Sequence, residues 1–279
     1  MQTNSQIYVG KRIEQDSAEE LSAKSICRNK VTIEHFSTDM GISALSLLSF
    51  AARSGLSLAS LALSAAKDKN ILTRQPSMKL KILTYNIHKG FDWGKRNYFL
   101  ADIKRLVKAS KANIVFLQEV VGESKSYKKK GLVDSQFEFI ADSVWSHYSY
   151  AQNAIHDHGH HGNLILSEYP IASWKNVNIS TNSLEKRGLL VCKIEIPSKE
   201  SSKEKRYIHV ICAHLDLLQK GRAKQYDMLR SLVESLEIPD NDPLIVAGDF
   251  NDWNQEAHHI LEKELKCKIC LYNIVAKFF

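Results

Sequence analysis

Apolar positions along the second part of the chain keep two rhythms. Short runs with partial period-two alternation or continuous apolarity stand at Leu80–Tyr85, Ile114–Leu117, Asn163–Ser167, Leu189–Ile196, Tyr207–Leu215 and Pro243–Ala247. Such runs predict strands. Between them, Leu100, Ile103, Leu106 and Val107 recur at helical spacing, as do Phe137, Ile140, Ala141 and Val144, and Tyr226, Leu229, Leu232, Val233 and Leu236. Spacings of three and four place each set on one helix face. Strands and helices interleave, which predicts a layered α/β fold without internal repeats.

Before Met78 the texture differs. Residues 1–38 are polar, carry charges of both signs and show no apolar period, so they read as weakly structured. Residues 41–66 are rich in Leu, Ala and Ser, with Arg53 as the single charge. Ser46, Ser49, Arg53, Ser57, Ser60 and Ser64 form one narrow polar stripe on a helix that is otherwise apolar. The run is long enough to span a bilayer, but a central Arg costs about 2.5–3.5 kcal/mol on insertion scales. A helix packed on protein or lying at an interface is the favoured reading. Lys67 to Gln75, ending at Pro76, reads as a linker. The expected organisation is an extension over 1–77 and a domain over 78–279.

Composition adds exclusions. With 279 residues, 44% hydrophobic and 25% charged, the chain is neither wholly disordered nor collagen-like nor a coiled coil. Five cysteines without regular spacing make no disulfide framework, which favours a reducing, cytoplasmic setting, with membrane association through residues 41–66 as an added expectation. The net charge of +7 is diffuse; its densest cluster is Lys125, Lys128, Lys129 and Lys130, read as a solvated loop that also favours polyanions.

The candidate chemistry lies where predicted strands end. One ends in Asn86-Ile87-His88-Lys89-Gly90, another in Gln118-Glu119, another in His214-Leu215-Asp216, and the last in Gly248-Asp249-Phe250-Asn251-Asp252. Carboxylates, amides and an imidazole without a matched Cys pair suit a hard cation bound through oxygens. Mg²⁺ is the natural choice, and Mn²⁺ accepts the same donors.

Leu83–Gly90, Gln118-Glu119-Val120, Gly162–Ser167, Ala213-His214-Leu215 and Gly248–Trp253 together resemble the successive motifs of the endonuclease/exonuclease/phosphatase superfamily. Arg187-Gly188-Leu189-Leu190 and the Arg222/Gln225 pair are similar to its bacterial branch. The resemblance runs from about Met78 to about Leu265. It implies a four-layer α/β/β/α sandwich of two packed sheets flanked by helices, and a metal-dependent hydrolase of phosphodiesters or phosphomonoesters, expected as a monomer. It further implies that Glu119 and Asn86 hold the metal, that Asp249 activates the attacking water, that His214 and Asn251 hold phosphoryl oxygens, and that Asn163 supports the site. Nucleic acid, phospholipid and sugar phosphate all remain open as substrates.

The resemblance stops before the family's last two strands and their Ser-Asp-His motif, which occurs nowhere after Trp253. The expectation is therefore a domain incomplete at its C-terminal end, with an open sheet edge exposed to pairing or aggregation. A second function class follows from that gap: a catalytically inactive remnant that binds a membrane or partner through the helix at 41–66. Two metal readings are weaker. The His156, His158, His160 and His161 tract resembles the family's lead-in to Asn163, and Cys267 and Cys270 with His258 and His259 offer zinc ligands only as a lone Cys-x-x-Cys.

Overall fold

In the computed structural model the described residues are 5–10, 32–36, 79–91, 97–133, 135–142, 145–183, 185–197, 205–239, 242–252, 261 and 267–269. The strands are β1 (Ser5–Gly10), β2 (Thr32–Phe36), β3 (Lys79–Asn86), β4 (Ile114–Ser124), β5 (His147–His156), β6 (Gly159–Ser167), β7 (Ile171–Asn178), β8 (Gly188–Ile196), β9 (Arg206–His214), β10 (Leu244–Asp249) and β11 (Cys267–Ile269). The helices are α1 (Leu100–Ser110), α2 (Lys125–Lys129), α3 (Gln136–Ala141) and α4 (Gln219–Ser235), with a 3-10 turn at His88–Gly90.

Two mixed sheets result. One has the order β11-β1-β10-β9-β8-β7 and the other β2-β3-β4-β6-β5. Their facing sides share one apolar core. Leu80, Ile82, Ile114, Phe116 and Ile165 of the second sheet meet Leu190, Ile194, Val210, Ile245 and Ala247 of the first. The alternate residues of the same strands point outward. Val191, Ile211 and Val246 receive Tyr226, Leu229 and Leu232 of α4. Leu83, Val115 and Leu117 receive Leu100, Ile103 and Val107 of α1 and Ile140 of α3. Period two thus gives the central strands β3, β4, β8, β9 and β10 two buried faces, and the helical stripes cover the outer ones. The architecture is the expected α/β/β/α sandwich.

Several differences from the sequence reading have physical causes. The stretch read as patternless contributes two strands: β1 runs antiparallel to β10, and β2 runs parallel to β3. Six- and five-residue strands carry too few alternations to rise above a polar background. β1 occupies the flank of β10, and β11 lies beyond it at that end of the sheet. β7 escapes prediction because six of its eight residues are exposed, which erases the alternation. The Lys125–Lys129 segment is a short helix rather than a loop, with Ser124 accepting the Tyr127 N–H as its cap. The apolar run 41–66 and the residues His258, His259 and Cys270 lie outside the described residues. Among the described residues, no helix is long and apolar enough to cross a membrane.

Candidate active site

Parallel pairing brings the predicted strand ends to one edge. β9 and β10 are parallel with His214 opposite Asp249, and β3 and β4 are parallel with Asn86 opposite Gln118. Close approach within the first pair depends on Gly248. At φ +152°, a Cβ there would lie 1.9 Å from the Ala213 carbonyl oxygen. Only glycine allows the contact.

Glu119 reaches the same edge by leaving its ladder. The β4–β6 register shifts between Leu117 and Val120, and Glu119 sits at φ +55°. This left-handed bulge turns a side chain that belongs to the strand toward the strand ends. Such backbone strain in a non-glycine residue costs about 1–3 kcal/mol, sustained here by the surrounding sheet. Asn251 at φ +48° makes a comparable turn after β10. His88 and Lys89 are also left-handed, and their turn is pinned where Gln136 Nε2 and the Tyr127 hydroxyl both donate to the Lys89 carbonyl.

The Asn86 amide is the centre of the arrangement. Its Nδ2 donates to Glu119 Oε1 at 3.3 Å and to Asp249 Oδ2 at 3.0 Å, so one side chain joins carboxylates from the two sheets. Its Oδ1 accepts the His88 N–H. Asp249 Oδ1 accepts the Asn251 N–H at 3.1 Å, and Asn251 Nδ2 donates to the Leu215 carbonyl. Lys89 Nζ stands 3.8 Å from Glu119 Oε2, and His214 Nε2 stands 4.0 Å from Glu119 Oε1. On its other side, His214 Nδ1 is 3.1 Å from Arg187 Nη1, and Arg187 Nη2 pairs with Glu185 at 3.3 Å.

These contacts set the charges. Burial resists ionisation of Glu119; attraction to the imidazole of His214 whenever that ring is charged, to Lys89 and to His88, with the Asn86 hydrogen bond, outweighs it and holds the carboxyl at about 2. Burial pushes Asp249 above the ordinary carboxylate range, against the hydrogen bonds from Asn86 and Asn251. Burial first, then the Arg187 charge, holds His214 well below its ordinary value, so its ring is neutral at pH 7 and Lys89 is the lasting cation facing Glu119. Burial and then Lys89 push His161 down to about 4.

Five of the six residues singled out in the sequence therefore meet: Asn86, Glu119, His214, Asp249 and Asn251. Asn163 is set back. It is 0% exposed on β6, and its Nδ2 donates to the Gly188 carbonyl at 2.9 Å and the Cys212 carbonyl at 3.2 Å, tying the two sheets together behind the site. Arg222 and Gln225 support the loop after β9. Gln225 accepts the Asp216 N–H and donates to the Ile179 carbonyl, while Arg222 donates to the Asp216 and Leu217 carbonyls. The residues that spacing did not single out are His88, Lys89, His161 and Arg187. Each stands inside or beside a sequence motif, but only the fold brings them around Glu119.

The donor set fits a hard divalent cation. Glu119 and Asp249 bring two carboxylates together around the Asn86 amide at a strand-end edge, the kind of hard-oxygen setting in which Mg²⁺ is held with waters completing its shell. Among the described residues no three His, Cys, Asp or Glu side chains are grouped so as to hold a metal ion by themselves.

Known proteins resemble this chain to differing extents. The Escherichia coli K12 protein YbhP, itself uncharacterised, is 42% identical over 185 residues, covering 65% of this chain and 70% of its own length. A Beutenbergia cavernae endonuclease/exonuclease/phosphatase superposes with a TM-score of 0.48 at 17% identity, over 62% of this chain and 47% of that one. A humanised zebrafish TDP2 superposes with a TM-score of 0.43 at 18% identity, over 64% of this chain and 65% of that one. The profile described as Endonuclease/Exonuclease/phosphatase family matches residues 83–263, a span that opens in β3 and includes every strand end described above. The chain belongs to that family.

Proposed function

We propose that this chain is a divalent-cation-dependent hydrolase of phosphate esters, working at the edge where β3, β4, β9 and β10 end. The observation that carries the reading is the Asn86 amide shared between Glu119 and Asp249, at 3.3 and 3.0 Å. A carboxylate pair held this close, in a chain of this family, suits a bound cation. Glu119 and Asn86 would hold Mg²⁺, with Mn²⁺ accepted by the same oxygens. When bound, such an ion neutralises charge on phosphoryl oxygens and makes water a better nucleophile.

The chain's own groups do the rest. Both oxygens of Asp249 are fixed, one by Asn86 Nδ2 and one by the Asn251 N–H, so the carboxylate is oriented before substrate arrives. Its raised proton affinity suits it to take a proton from the attacking water. The water oxygen then bonds to phosphorus as the opposite P–O ester bond breaks and the leaving oxygen departs. Negative charge accumulates on the phosphoryl oxygens, which His214, Asn251 and Lys89 are placed to stabilise.

The test uses purified full-length protein with Mg²⁺ on bis(p-nitrophenyl) phosphate, a DNA oligomer, a sugar phosphate and phospholipid vesicles. Turnover on at least one substrate, lost in Glu119→Ala, is expected. No turnover on any, with Glu119→Ala indistinguishable from wild type, rejects the proposal.

A further inference from the structure

His214 is wired differently from a histidine that serves as a base. In the Ser-His-Asp arrangement a carboxylate accepts from Nδ1–H, which leaves a lone pair on Nε2 to take a proton. Here the neighbour of Nδ1 is Arg187 Nη1 at 3.1 Å. A guanidinium carries only donors, so Nδ1 must accept, and the ring proton must sit on Nε2. That nitrogen faces Glu119 Oε1 at 4.0 Å, toward the strand-end edge.

The guanidinium is not free to turn away. Nη2 is held by Glu185 at 3.3 Å, and the Glu185 N–H is in turn fixed by Asn182 Oδ1 at 2.7 Å. The Arg187 backbone is closed on both sides, with its N–H donating to Ser180 Oγ and its carbonyl accepting the Ile179 N–H. Asn163 completes the frame. Its single Nδ2 bonds the carbonyl of Gly188, next to Arg187, and the carbonyl of Cys212, two residues before His214. A Cβ at Gly188 would lie 2.3 Å from Asn153 Oδ1, so that amide would have to swing aside. One buried amide therefore fixes the strand positions of both members of the pair.

We infer that Arg187 is a positioning residue that locks His214 with its proton on Nε2, making it a fixed hydrogen-bond donor toward the reacting phosphate rather than a proton acceptor, with Asn163 holding the pair in register. The place of the proton follows from the contacts themselves. The catalytic consequence rests on the phosphate-ester reading, and the two are tested separately.

Full-length protein labelled with ¹⁵N at histidine is studied in EDTA at pH 7, with His214→Gln assigning the signal. Long-range ¹⁵N–¹H correlation is expected to show a bare Nδ1 and a protonated Nε2. Arg187→Lys, another pure donor, keeps that pattern; Arg187→Met shifts it toward Nδ1–H or toward protonation at both nitrogens. A merely structural arginine lowers stability in both variants without moving the proton. His214 protonated on Nδ1 in the native chain, or unaltered in a folded Arg187→Met, overturns the assignment. Should Arg187→Met fail to fold, the native and Arg187→Lys spectra decide. In turnover, His214→Gln, which keeps an N–H donor at nearly the Nε2 position, is expected within about tenfold of wild type, against a loss of about 10²–10³ in His214→Ala. Equal loss in both overturns the donor role. Absence of all turnover counts against the phosphate-ester reading, while the spectra still decide where the His214 proton sits.

Discussion

Replacing Asn86 by aspartate tests the heart of the site without any assay of activity. The change is nearly isosteric, but it exchanges a donor for a third carboxylate, 3.0 Å from Asp249 Oδ2 and 3.3 Å from Glu119 Oε1. With an effective dielectric near 20, each of those contacts becomes a repulsion of about 5 kcal/mol. Taking up one proton at pH 7 costs only about 4 kcal/mol, from roughly three pH units at about 1.4 kcal/mol each. The cluster therefore binds a proton, and its destabilisation is set by that cost. Because the folded pKa lies above the unfolded one, the stability is present at low pH and lost as pH rises. Relative to wild type, Asn86→Asp should be about 4 kcal/mol less stable at pH 7 and only about 1.5 kcal/mol less stable at pH 5. Urea unfolding in EDTA, followed by tryptophan fluorescence, measures both differences, provided the slopes of the transitions match. The penalty should shrink when Mg²⁺ is added. A penalty equal at pH 5 and pH 7 would refute the gathering of Asn86, Glu119 and Asp249.

Further perturbations address other contacts. Gly248→Ala places a methyl 1.9 Å from the Ala213 carbonyl oxygen and must separate β9 from β10; a loss above about 3 kcal/mol in chemical denaturation is expected, and a loss below about 1 kcal/mol would deny the close approach. Mg²⁺ should raise the thermal midpoint of the wild type but not of Glu119→Gln, with equal shifts in both removing Glu119 as the ligand. His161 is held at about 4 by burial and Lys89, against an ordinary value of 6.5, so the unfolded chain binds the extra proton. Stability contributed by this neutral ring is present above about 6.5 and lost as pH falls toward 4; a His161→Gln variant should show a shallower acid limb, and an unchanged limb would contradict that burial.

The sequence by itself determined the class of fold, because period-two and period-three-to-four apolar patterns are local and were long enough to read. The inner and outer faces of β3, β4, β9 and β10 follow directly from alternation in Leu80–Tyr85 and its counterparts. Motif order also named Glu119, Asn86, His214, Asp249 and Asn251, since polar groups at apolar strand ends are conspicuous in a linear chain. Tertiary structure alone decided three things. Strands β1, β2 and β7 form through pairing with neighbours, and pairing energy leaves little trace in a short or exposed run. Glu119 points to the site only because a left-handed bulge turns it, a backbone event that its own residue type disfavours. Lys89 and His161, dozens of residues from Glu119 along the chain, come beside it through strand pairing within its own sheet, and Arg187 joins through His214 of the other sheet, so the charge of each group depends on partners the sequence does not place beside it. Residue types are written in the chain; the distances that set their protonation and hydrogen-bond polarity exist only in the folded sandwich.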